Sequence, residues 1–488
     1  MADSKQMFVL PLIDCKMSEH AKKILKSKMS AYMLIYNRLV SQVNSAILRN
    51  LSIIEDYKTR KIKKIDMFKS ITIDYEYPGK DKYYGLTEYA FINAVNAMIK
   101  EDMGGGKKYN DVVNTGNVRE IARELTKACE KAICECKKGN TPSLKYKKTC
   151  NIIKFPSAHG DKFTGIKMDL EKSTFTLENE EIKYYINDSH YYEMFAMQNP
   201  IREICFVRKK IRGKEKFYVQ LSIQGTPYMK DYTLGYGKVA IDIGPRTFYV
   251  LVRKEDGTFE EHEFSLSSLD NIDKDVANLQ RKIDRSRRST TPENYNEDGT
   301  SKKRGERIPF KESNRNKKTL AKLSDLKRKL QANKEIAEND IIKDILSLGN
   351  EFRIEYSPGM TKSWTARKKI TKINRNGKYS SKKRFGKSIL NSAPYRVLSK
   401  LKLKAGYLGV DVKEIPIEQG CTGFDHTNGQ FTKHGISERY VTLSNGNTHH
   451  RDFHSCFNIM FAEDQKGKFN IEQMEMNYPK YCECDLKK

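Results

Sequence analysis

The chain has 488 residues, and its 90 Lys and Arg residues against 62 Asp and Glu give a formal charge of +28. This length allows about two to four domains with a sizeable core. So large a positive excess causes strong self-repulsion unless a polyanion is bound, which favours nucleic acid as the partner. An acidic membrane fits less well, because the sequence carries no amphipathic basic helix, no lipidation signal and no apolar run of about 18 residues.

The cysteines and the N-terminal residues indicate the compartment. None of the ten cysteines forms a CxxC pair, and the first residues (MADSKQMFVLPLID) lack the pattern of a signal peptide. Cys482 and Cys484, near the C-terminus, are better explained as incidental neighbours than as a metal pair. Reduced thiols in a prokaryotic cytoplasm fit this usage best.

The first 150 residues have the pattern of a strand followed by helices. A short apolar stretch at residues 7–13 predicts the strand, and from Ser18 onwards apolar residues recur every three or four positions. Further helices are predicted for residues 88–99 and 117–137. We therefore expect a helical lobe at residues 17–150, whereas residues 1–16 supply the first strand of a β-domain.

From residue 151 onwards apolar and polar residues alternate, which is the period of strands. Residues 201–223 predict a long hairpin with Gly213 at its tight turn. We expect a small β-domain at residues 151–235, which the first strand joins. Cationic side chains that suit a phosphate backbone cluster at the tip of the hairpin: Lys209, Lys210, Arg212, Lys214 and Lys216.

A third region, residues 236–420, begins with three predicted strands in an antiparallel meander, as RNase-H-like domains do. Two helical segments follow within residues 270–335 and fit a helical hairpin. The polar, basic and turn-rich connection between them is either a solvated loop or a contact with a nucleic-acid backbone. The candidate contacts at its start are Arg285, Arg287 and Arg288.

Three acids are candidates for one shared site. Asp242 ends an apolar strand, where a carboxylate is costly unless its charge is compensated. Glu355 ends a later strand, and Glu351 competes with it because strand alternation puts both on one face. Asp452 opens a helix with an apolar stripe, where its simplest role is the N-cap. Carboxylate oxygens suit Mg²⁺, and acids that bridge a pair of such ions can cleave phosphodiesters.

Five sequence motifs occur in order between residues 237 and 462. They are AIDIG, RSRRSTTPENYNEDGT, GNEFRIE followed by TKSW, RFGKSILNSAPYRVLSKLKLKA, and ISERY followed by GNTHHRDFHSCFNI. Together they resemble the transposon-encoded TnpB nucleases and their descendants, the miniature type V CRISPR effectors. The resemblance implies an α+β multidomain protein with an RNase-H-like (RuvC) nuclease domain, a β-barrel wedge domain and a helical recognition lobe.

The same resemblance implies an RNA-guided, Mg²⁺-dependent DNA endonuclease whose partners are a guide RNA and double-stranded target DNA. The family's three RuvC carboxylates correspond to Asp242, Glu355 and Asp452, which would hold two Mg²⁺ ions. Arg451 and Asn458 match polar positions beside the third acid, and we include them among the nucleic-acid-binding residues. The residues do not decide between a transposon nuclease and a CRISPR effector, or between one and two protein copies per RNA.

Residues 421–450 depart from the family pattern, since relatives carry a four-cysteine zinc element between the second and third acids. The positions of those cysteines are taken by Asp425, Asn428, Leu443 and Asn445. Four histidines could in principle rebuild a site: His426, His434, His449 and His450. Structural zinc prefers several thiolates, so we expect no zinc. We expect instead a degenerate zinc-finger-like insert for target-strand loading, before residues 451–488 complete the RuvC domain and form the C-terminal tail.

Two other classes of function stay open. A guided DNA-binding repressor without nuclease activity would account for the lost zinc cysteines, although retention of all three acids argues against it. An unguided nuclease, either a DDE-type transposase or a Holliday-junction resolvase, shares this kind of sheet and acidic site. Such an enzyme would not need the helical lobe or the extensive basic loops, and its cleavage would be independent of RNA.

Overall fold

The computed structural model describes residues 7–77, 80–100, 109–136, 142–159, 162–187, 191–266, 273–302, 304–356, 392–435 and 438–485. The TKSW motif and the RFGKSILN segment, residues 361–364 and 384–391, lie outside the described residues. The chain folds into two compact units, Met1–Tyr228 and Met229–Lys488.

The first unit opens with strands and helices. Strands β1 (Met7–Val9) and β2 (Ile13–Lys16) precede the first helix, α1 (Glu19–Arg49). As the sequence predicts, α1 begins after Ser18, whose Oγ accepts a hydrogen bond from the backbone N–H of Ala21 at 2.9 Å. The elements that follow are α2 (Leu51–Lys58), α3 (Lys64–Ser70), β3 (Thr72–Tyr77), β4 (Lys80–Gly85), α4 (Glu88–Met98) and α5 (Thr115–Cys136).

A nine-stranded sheet forms the rest of the first unit. Its further elements are β5 (Ile152–His159), β6 (Lys162–Phe163), β7 (Lys167–Asp169), β8 (Thr174–Leu177), β9 (Glu180–Tyr184), the helix α6 (Tyr191–Met197), β10 (Ile201–Ile211) and β11 (Lys214–Gln224). The strand order is β6-β5-β10-β11-β2-β9-β8-β7, and β1 also pairs with β11. Both N-terminal strands therefore belong to this sheet. The turn between β10 and β11 consists of Arg212 and Gly213, whose φ values of 49° and 82° fit a two-residue hairpin turn.

A five-stranded sheet organises the second unit. Its strands are β12 (Lys238–Ile243), β13 (Thr247–Arg253), β14 (Phe259–Ser265), β15 (Glu351–Glu355) and β16 (Val412–Ile415). They lie in the order β14-β13-β12-β15-β16. The first three are antiparallel neighbours, whereas β12, β15 and β16 run parallel, so the carboxyl ends of these three strands meet at one edge of the sheet.

Helices cover both faces of this sheet. They are α8 (Asn314–Ser347), α9 (Pro394–Tyr407), α10 (Arg451–Phe461) and α11 (Ile471–Asp485), whereas α7 (Asp273–Thr290) packs against α8. Val239 and Ile241 pack with side chains of α8 and α9 in one core. Ala240 packs with side chains of α10 and α11 in a second core, on the opposite face. Because strand side chains alternate, Asp242 belongs to the same face as Ala240, the face that α10 covers.

Two helix predictions were wrong in extent. The helical hairpin was predicted to end at residue 335, but α8 continues without a break to Ser347 because the residues that follow, IAEND, contain neither Gly nor Pro. The sequence predicted a C-terminal tail after the helix at Asp452, but a further helix, α11, follows despite an internal Pro479. Buried Met474 and Tyr481 hold α11 against the second core. None of the described helices is both long and apolar enough to cross a membrane.

Candidate active site

Asp242 and Glu355 lie side by side at the carboxyl ends of two parallel strands. The last paired rung between β12 and β15 joins Ile241 to Ile354, so the two acids occupy the next position on each strand. Neighbouring strands are about 4.8 Å apart, which brings these carboxylates to one point on the sheet. The competitor Glu351 lies at the other end of β15, where it forms an ion pair of 3.1 Å with Lys238. The structure thus places Glu355, and not Glu351, beside Asp242.

Asp452 reaches the same end of the sheet from α10. It is not the N-cap that its position suggested, since the cap is His450 and Asp452 lies in the first helical turn. A carboxylate there is favoured by the helix dipole. Its Oδ1 accepts hydrogen bonds from Nε and Nη2 of Arg451 at 3.0 and 2.8 Å, and its Oδ2 accepts one from Nη1 of Arg439 at 3.2 Å. Asp452 is 7% exposed, so these two guanidinium groups compensate a nearly buried charge.

Burial and neighbouring negative charge raise the pKa values of the two strand acids. The pKa of Asp242 is raised to about 7, first because its carboxyl group is withdrawn from water and second because of the negative charge of Asp452. The pKa of Glu355 is raised to about 8 by its burial and then by the charge of Asp242. A hydrogen bond from Ser455 to Asp242 and one from Cys421 to Glu355 offset only part of this effect. The carboxylates therefore repel each other in a confined space.

Two of the three acids offer the oxygen donors that the Mg²⁺ implied by the resemblance would need. Asp242 and Glu355 form no ion pair with a described residue, and carboxylate oxygens are the ligands that Mg²⁺ prefers. Within the described ranges, no three His, Cys, Asp or Glu side chains converge closely enough to ligate one ion. Asp452 directs its oxygens to Arg439 and Arg451 instead. The site therefore fits a hard divalent cation at Asp242 and Glu355, with Asp452 beside it.

Arg451 and Asn458 do not lie where a nucleic acid could contact them. Besides Asp452, Arg451 donates from Nη1 to the backbone carbonyls of Gly435 and Glu438, and only 13% of its side chain is exposed. Asn458 is fully buried, and its Nδ2 donates to the carbonyls of Cys421 and Phe424, both at 2.8 Å. Their prediction as nucleic-acid-binding residues therefore needs correction: Arg451 positions Asp452, and Asn458 fastens the 421–424 segment to α10.

The three arginines predicted near the helical hairpin divide into two kinds. Arg287 donates to Glu312 at 2.8 Å and stacks over Phe310, and Arg288 pairs with Asp284 at 3.0 Å. Arg288 also donates to the carbonyl of Gly299 and lies over the Tyr295 ring. These two arginines hold the connection between α7 and α8 in shape. Arg285 is exposed and takes part in none of the described ion pairs.

The predicted cations at the β10–β11 hairpin tip are exposed. Glu215 is the acid nearest to the turn, and its ion pairs are with Lys26 at 2.6 Å and Arg208 at 3.9 Å. The cations at the turn therefore remain available to solvent: Lys209, Lys210, Arg212 and Lys214. This placement is compatible with contact to a phosphate backbone.

Hydrogen bonds hold the two hairpins of the insert at residues 421–450 together. The insert forms two hairpins, β17 (Phe424–Asp425) with β18 (Gln430–Phe431), and β19 (Tyr440–Thr442) with β20 (Thr448–His450). Asp425 Oδ1 accepts from the N–H of Thr427 at 2.9 Å, while its Oδ2 accepts from the N–H of Ser444 at 2.8 Å. One carboxylate thus ties the two hairpins together. Gly429 and Gly446 have φ values of 72° and 89°, a backbone conformation that favours glycine.

Sequence reasoning missed the roles of Arg439 and Ser455 at the site. Arg439 lies in the ISERY motif with no role predicted for it, yet the pairing of Tyr440 with His450 brings it beside the start of α10. The N–H of Arg451 donates to the carbonyl of Arg439 at 2.8 Å. Recognising β19 and β20 as a hairpin would have placed Arg439 next to Asp452. Ser455 follows Asp452 by three positions and so faces the same side of the helix.

No protein-family model matches this chain, and no curated protein matches its sequence. Among solved structures, a Cas12f1 chain determined by cryo-electron microscopy in complex with sgRNA and target DNA aligns over 91% of this chain and 83% of its own, with a TM-score of 0.52 and 11% identity. A CRISPR-Cas12f ternary complex aligns over 92% and 83% at 12% identity, but its TM-score of 0.25 adds no support. The chain therefore shares its fold with a Cas12f1 chain, as its resemblance to TnpB and the miniature type V CRISPR effectors leads one to expect.

Proposed function

We propose that this protein is an RNA-guided DNA endonuclease with one RuvC-type, Mg²⁺-dependent active site. The observation that carries the proposal is the position of Asp242 and Glu355 on adjacent strand ends, with Asp452 on the helix that covers them. The sheet order, in which two parallel strands extend an antiparallel meander, supports an RNase-H-like assignment of the second unit. The likeness to a Cas12f1 chain bound to sgRNA and target DNA supports guide RNA and target DNA as partners.

In this proposal the first unit binds nucleic acid. Its sheet is the wedge domain, and a barrel-like closure is supported by the short connection between the two end strands, β6 and β7. Helices α1 to α5 form the recognition lobe. Exposed cations such as those at the β10–β11 tip contact phosphates. Base pairing with the guide RNA reads the target sequence, while the protein reads a short flanking duplex motif.

The chemistry of the site follows from its residues. Asp242 and Glu355 would hold the divalent cation, whose positive charge would offset the burial and the neighbouring negative charge that raise their pKa values. Arg451 and Arg439 fix the orientation of Asp452 through both of its carboxylate oxygens. When bound, paired Mg²⁺ supplies Lewis-acid stabilisation of the phosphate and a water nucleophile.

The test uses the full-length protein purified with the RNA that accompanies it. A plasmid that carries the RNA-matched target beside a randomised flanking sequence is incubated with Mg²⁺ or with EDTA. We expect cleavage that requires both the RNA and Mg²⁺. Asp452→Ala should abolish cleavage but retain RNA-guided binding, and cleavage by this variant at the wild-type rate contradicts the catalytic assignment.

A guided DNA-binding repressor remains the second candidate. The observation in its favour is that Asp452 is fully engaged by Arg439 and Arg451. RNA-guided binding without cleavage at any Mg²⁺ concentration supports this candidate. Cleavage that persists after the RNA is removed instead supports the unguided transposase or resolvase.

A further inference from the structure

A strongly basic groove lies between α7 and α8. Its cavity has a volume of about 680 Å³. Its walls contain five cationic side chains but no carboxylate. The nine lining residues are Leu279, Lys282, Arg285, Ser286, Arg315, Asn316, Lys318, Thr319 and Lys322. Such a concentration of one sign of charge attracts a partner of the opposite sign.

Helix geometry explains why the cations line up. On α8, Arg315, Lys318 and Lys322 are three and four residues apart, so they share one face. At about 1.5 Å of rise per residue, this row is about 10.5 Å long. On α7, Lys282 and Arg285 are three residues apart and form the facing row. The rows match the length of about three phosphates of one strand, which are spaced by about 3.4 Å along a duplex axis.

The groove cations are not used to hold the protein together. None of the five takes part in an ion pair among the described residues, and all five are exposed. Other cations of the same two helices are engaged: Arg287 with Glu312 at 2.7 Å, and Arg328 with Asp325 at 2.9 Å. Buried Asn316 donates to Glu312, so this acid is engaged by Asn316 and Arg287.

We propose that this groove binds the phosphodiester backbone of a nucleic-acid strand. The partner class rests on the proposed function, but the site does not depend on cleavage. A protein partner fits poorly, because protein interfaces are anchored by buried aromatic and apolar residues and Leu279 is the one apolar side chain in the lining. Exposed cations lose little hydration on contact with phosphate, and each contact releases condensed counterions. The groove is therefore a positioning surface that fixes the strand without reading its sequence.

The test compares two double variants that each remove two positive charges from α8. Lys318→Gln/Lys322→Gln alters the groove, and Arg328→Gln/Lys329→Gln is the matched control, whose side chains pair with Asp325. Binding of the full-length protein is measured in EDTA from 50 to 300 mM salt, so that cleavage plays no part. The probes are a DNA duplex, an RNA duplex and single-stranded DNA of equal length and arbitrary sequence.

We expect the groove variant to bind its preferred probe about tenfold more weakly at low salt, with the control within about twofold of wild type. The slope of log K against log salt should become shallower by about 1.4 to 1.8, since each lost contact removes about 0.7 for a single strand or 0.9 for a duplex. The probe with the largest loss identifies the strand that the groove holds. Lys318→Arg/Lys322→Arg should retain wild-type binding. If the groove variant and the control coincide on all three probes, the groove does not bind a backbone. If the wild-type protein binds through the groove but cleaves no target in Mg²⁺, the nuclease assignment is refuted and the groove proposal stands.

Discussion

The acidic end of the five-stranded sheet and the basic groove between α7 and α8 solve the problem of concentrated like charge in opposite ways. At the sheet, Asp242 and Glu355 are withdrawn from water, which raises their pKa values, and the negative charges of Asp452 near Asp242 and of Asp242 near Glu355 raise them further. In the groove, Lys318 and Lys322 stand in solvent, where water and salt screen their repulsion. The first arrangement lowers the stability of the metal-free protein, and a bound cation would restore it. The second lowers stability little, even when no strand is bound.

This difference predicts how variants behave in the two regions. Groups that share a buried site act as a unit, so their single and double variants are not additive. Exposed cations that each contact a different phosphate contribute independently. Changes at the sheet should therefore be all-or-none for cleavage and visible in stability, whereas changes in the groove should be graded and visible in binding.

The largest effect is expected from Asp242→Asn. This change removes a ligand and one of the mutually repelling charges at once, because Asn keeps the shape of Asp but not its charge. Cleavage of an RNA-matched plasmid should fall by about a thousand-fold or more, while the metal-free protein should melt at a higher temperature than wild type at pH 8. Single-turnover cleavage and thermal melting measure both. A variant that cleaves normally, or that melts lower, would break the proposed link between repulsion and function.

A comparison of the single variants Glu355→Gln and Glu351→Gln tests which acid of β15 belongs to the active site. Only Glu355 lies beside Asp242, whereas Glu351 pairs with Lys238 at 3.1 Å at the opposite end of the strand. Glu355→Gln should abolish cleavage, and Glu351→Gln should leave it within about twofold, because an exposed ion pair contributes little. Equal loss in both variants would mean that the acids were assigned to the wrong end of the strand.

How far the sequence predicts the site is clear from these same residues. The spacing of apolar residues placed Asp242 and Glu355 at strand ends, because a two-residue period is a local property that survives in the fold. The roles of Arg439 and Asn458 depend on contacts across the insert, which a single sequence does not reveal. Likewise, nothing local distinguishes Arg285 from Arg287: an acid 25 residues away, Glu312, engages one and not the other.

The pH dependence of stability offers a third way to sharpen the comparison. The folded-state pKa values, about 7 for Asp242 and about 8 for Glu355, lie above the values of about 3.9 and 4.3 in an unfolded chain. The folded state therefore holds these protons more tightly, and their stabilising contribution, complete below the unfolded pKa values, is lost progressively as pH rises from about 4 to about 8. In EDTA, the wild type should lose a few kcal/mol of unfolding free energy relative to Asp242→Asn/Glu355→Gln between pH 5 and 9, since one pKa unit is about 1.4 kcal/mol.

The measurement is chemical denaturation of both proteins across that pH range, with and without Mg²⁺. Addition of Mg²⁺ at pH 8 should restore the wild type and leave the double variant unchanged, because a ligand stabilises only the state that binds it. If the unfolding free energies of the two proteins in EDTA change in parallel with pH, the pKa values of Asp242 and Glu355 are not raised in the folded protein.

The variants Arg451→Gln and Arg439→Gln test how much each arginine contributes to stability by compensating the negative charge of Asp452. Arg451 donates to Asp452 and to the carbonyls of Gly435 and Glu438 with only 13% of its side chain exposed, whereas 58% of the Arg439 side chain is exposed. Loss of the buried donor leaves several acceptors unsatisfied and should cost about 2–3 kcal/mol, and loss of the exposed one less than about 1 kcal/mol. Denaturant titration measures the two losses in unfolding free energy. A larger loss for Arg439→Gln would contradict the expectation that the more buried arginine contributes more.

The smallest effects are expected from single changes in the groove, and their additivity is the sharpest contrast with the sheet. Lys318→Gln and Lys322→Gln should each weaken binding of the preferred strand about threefold at low salt, because each removes one exposed phosphate contact. The logarithms of these two effects should sum to that of the double variant. Binding in EDTA of the four proteins in this cycle measures the sum. A double variant no weaker than either single variant would mean that the two lysines share one phosphate, which would shorten the proposed strand contact to a single turn of α8.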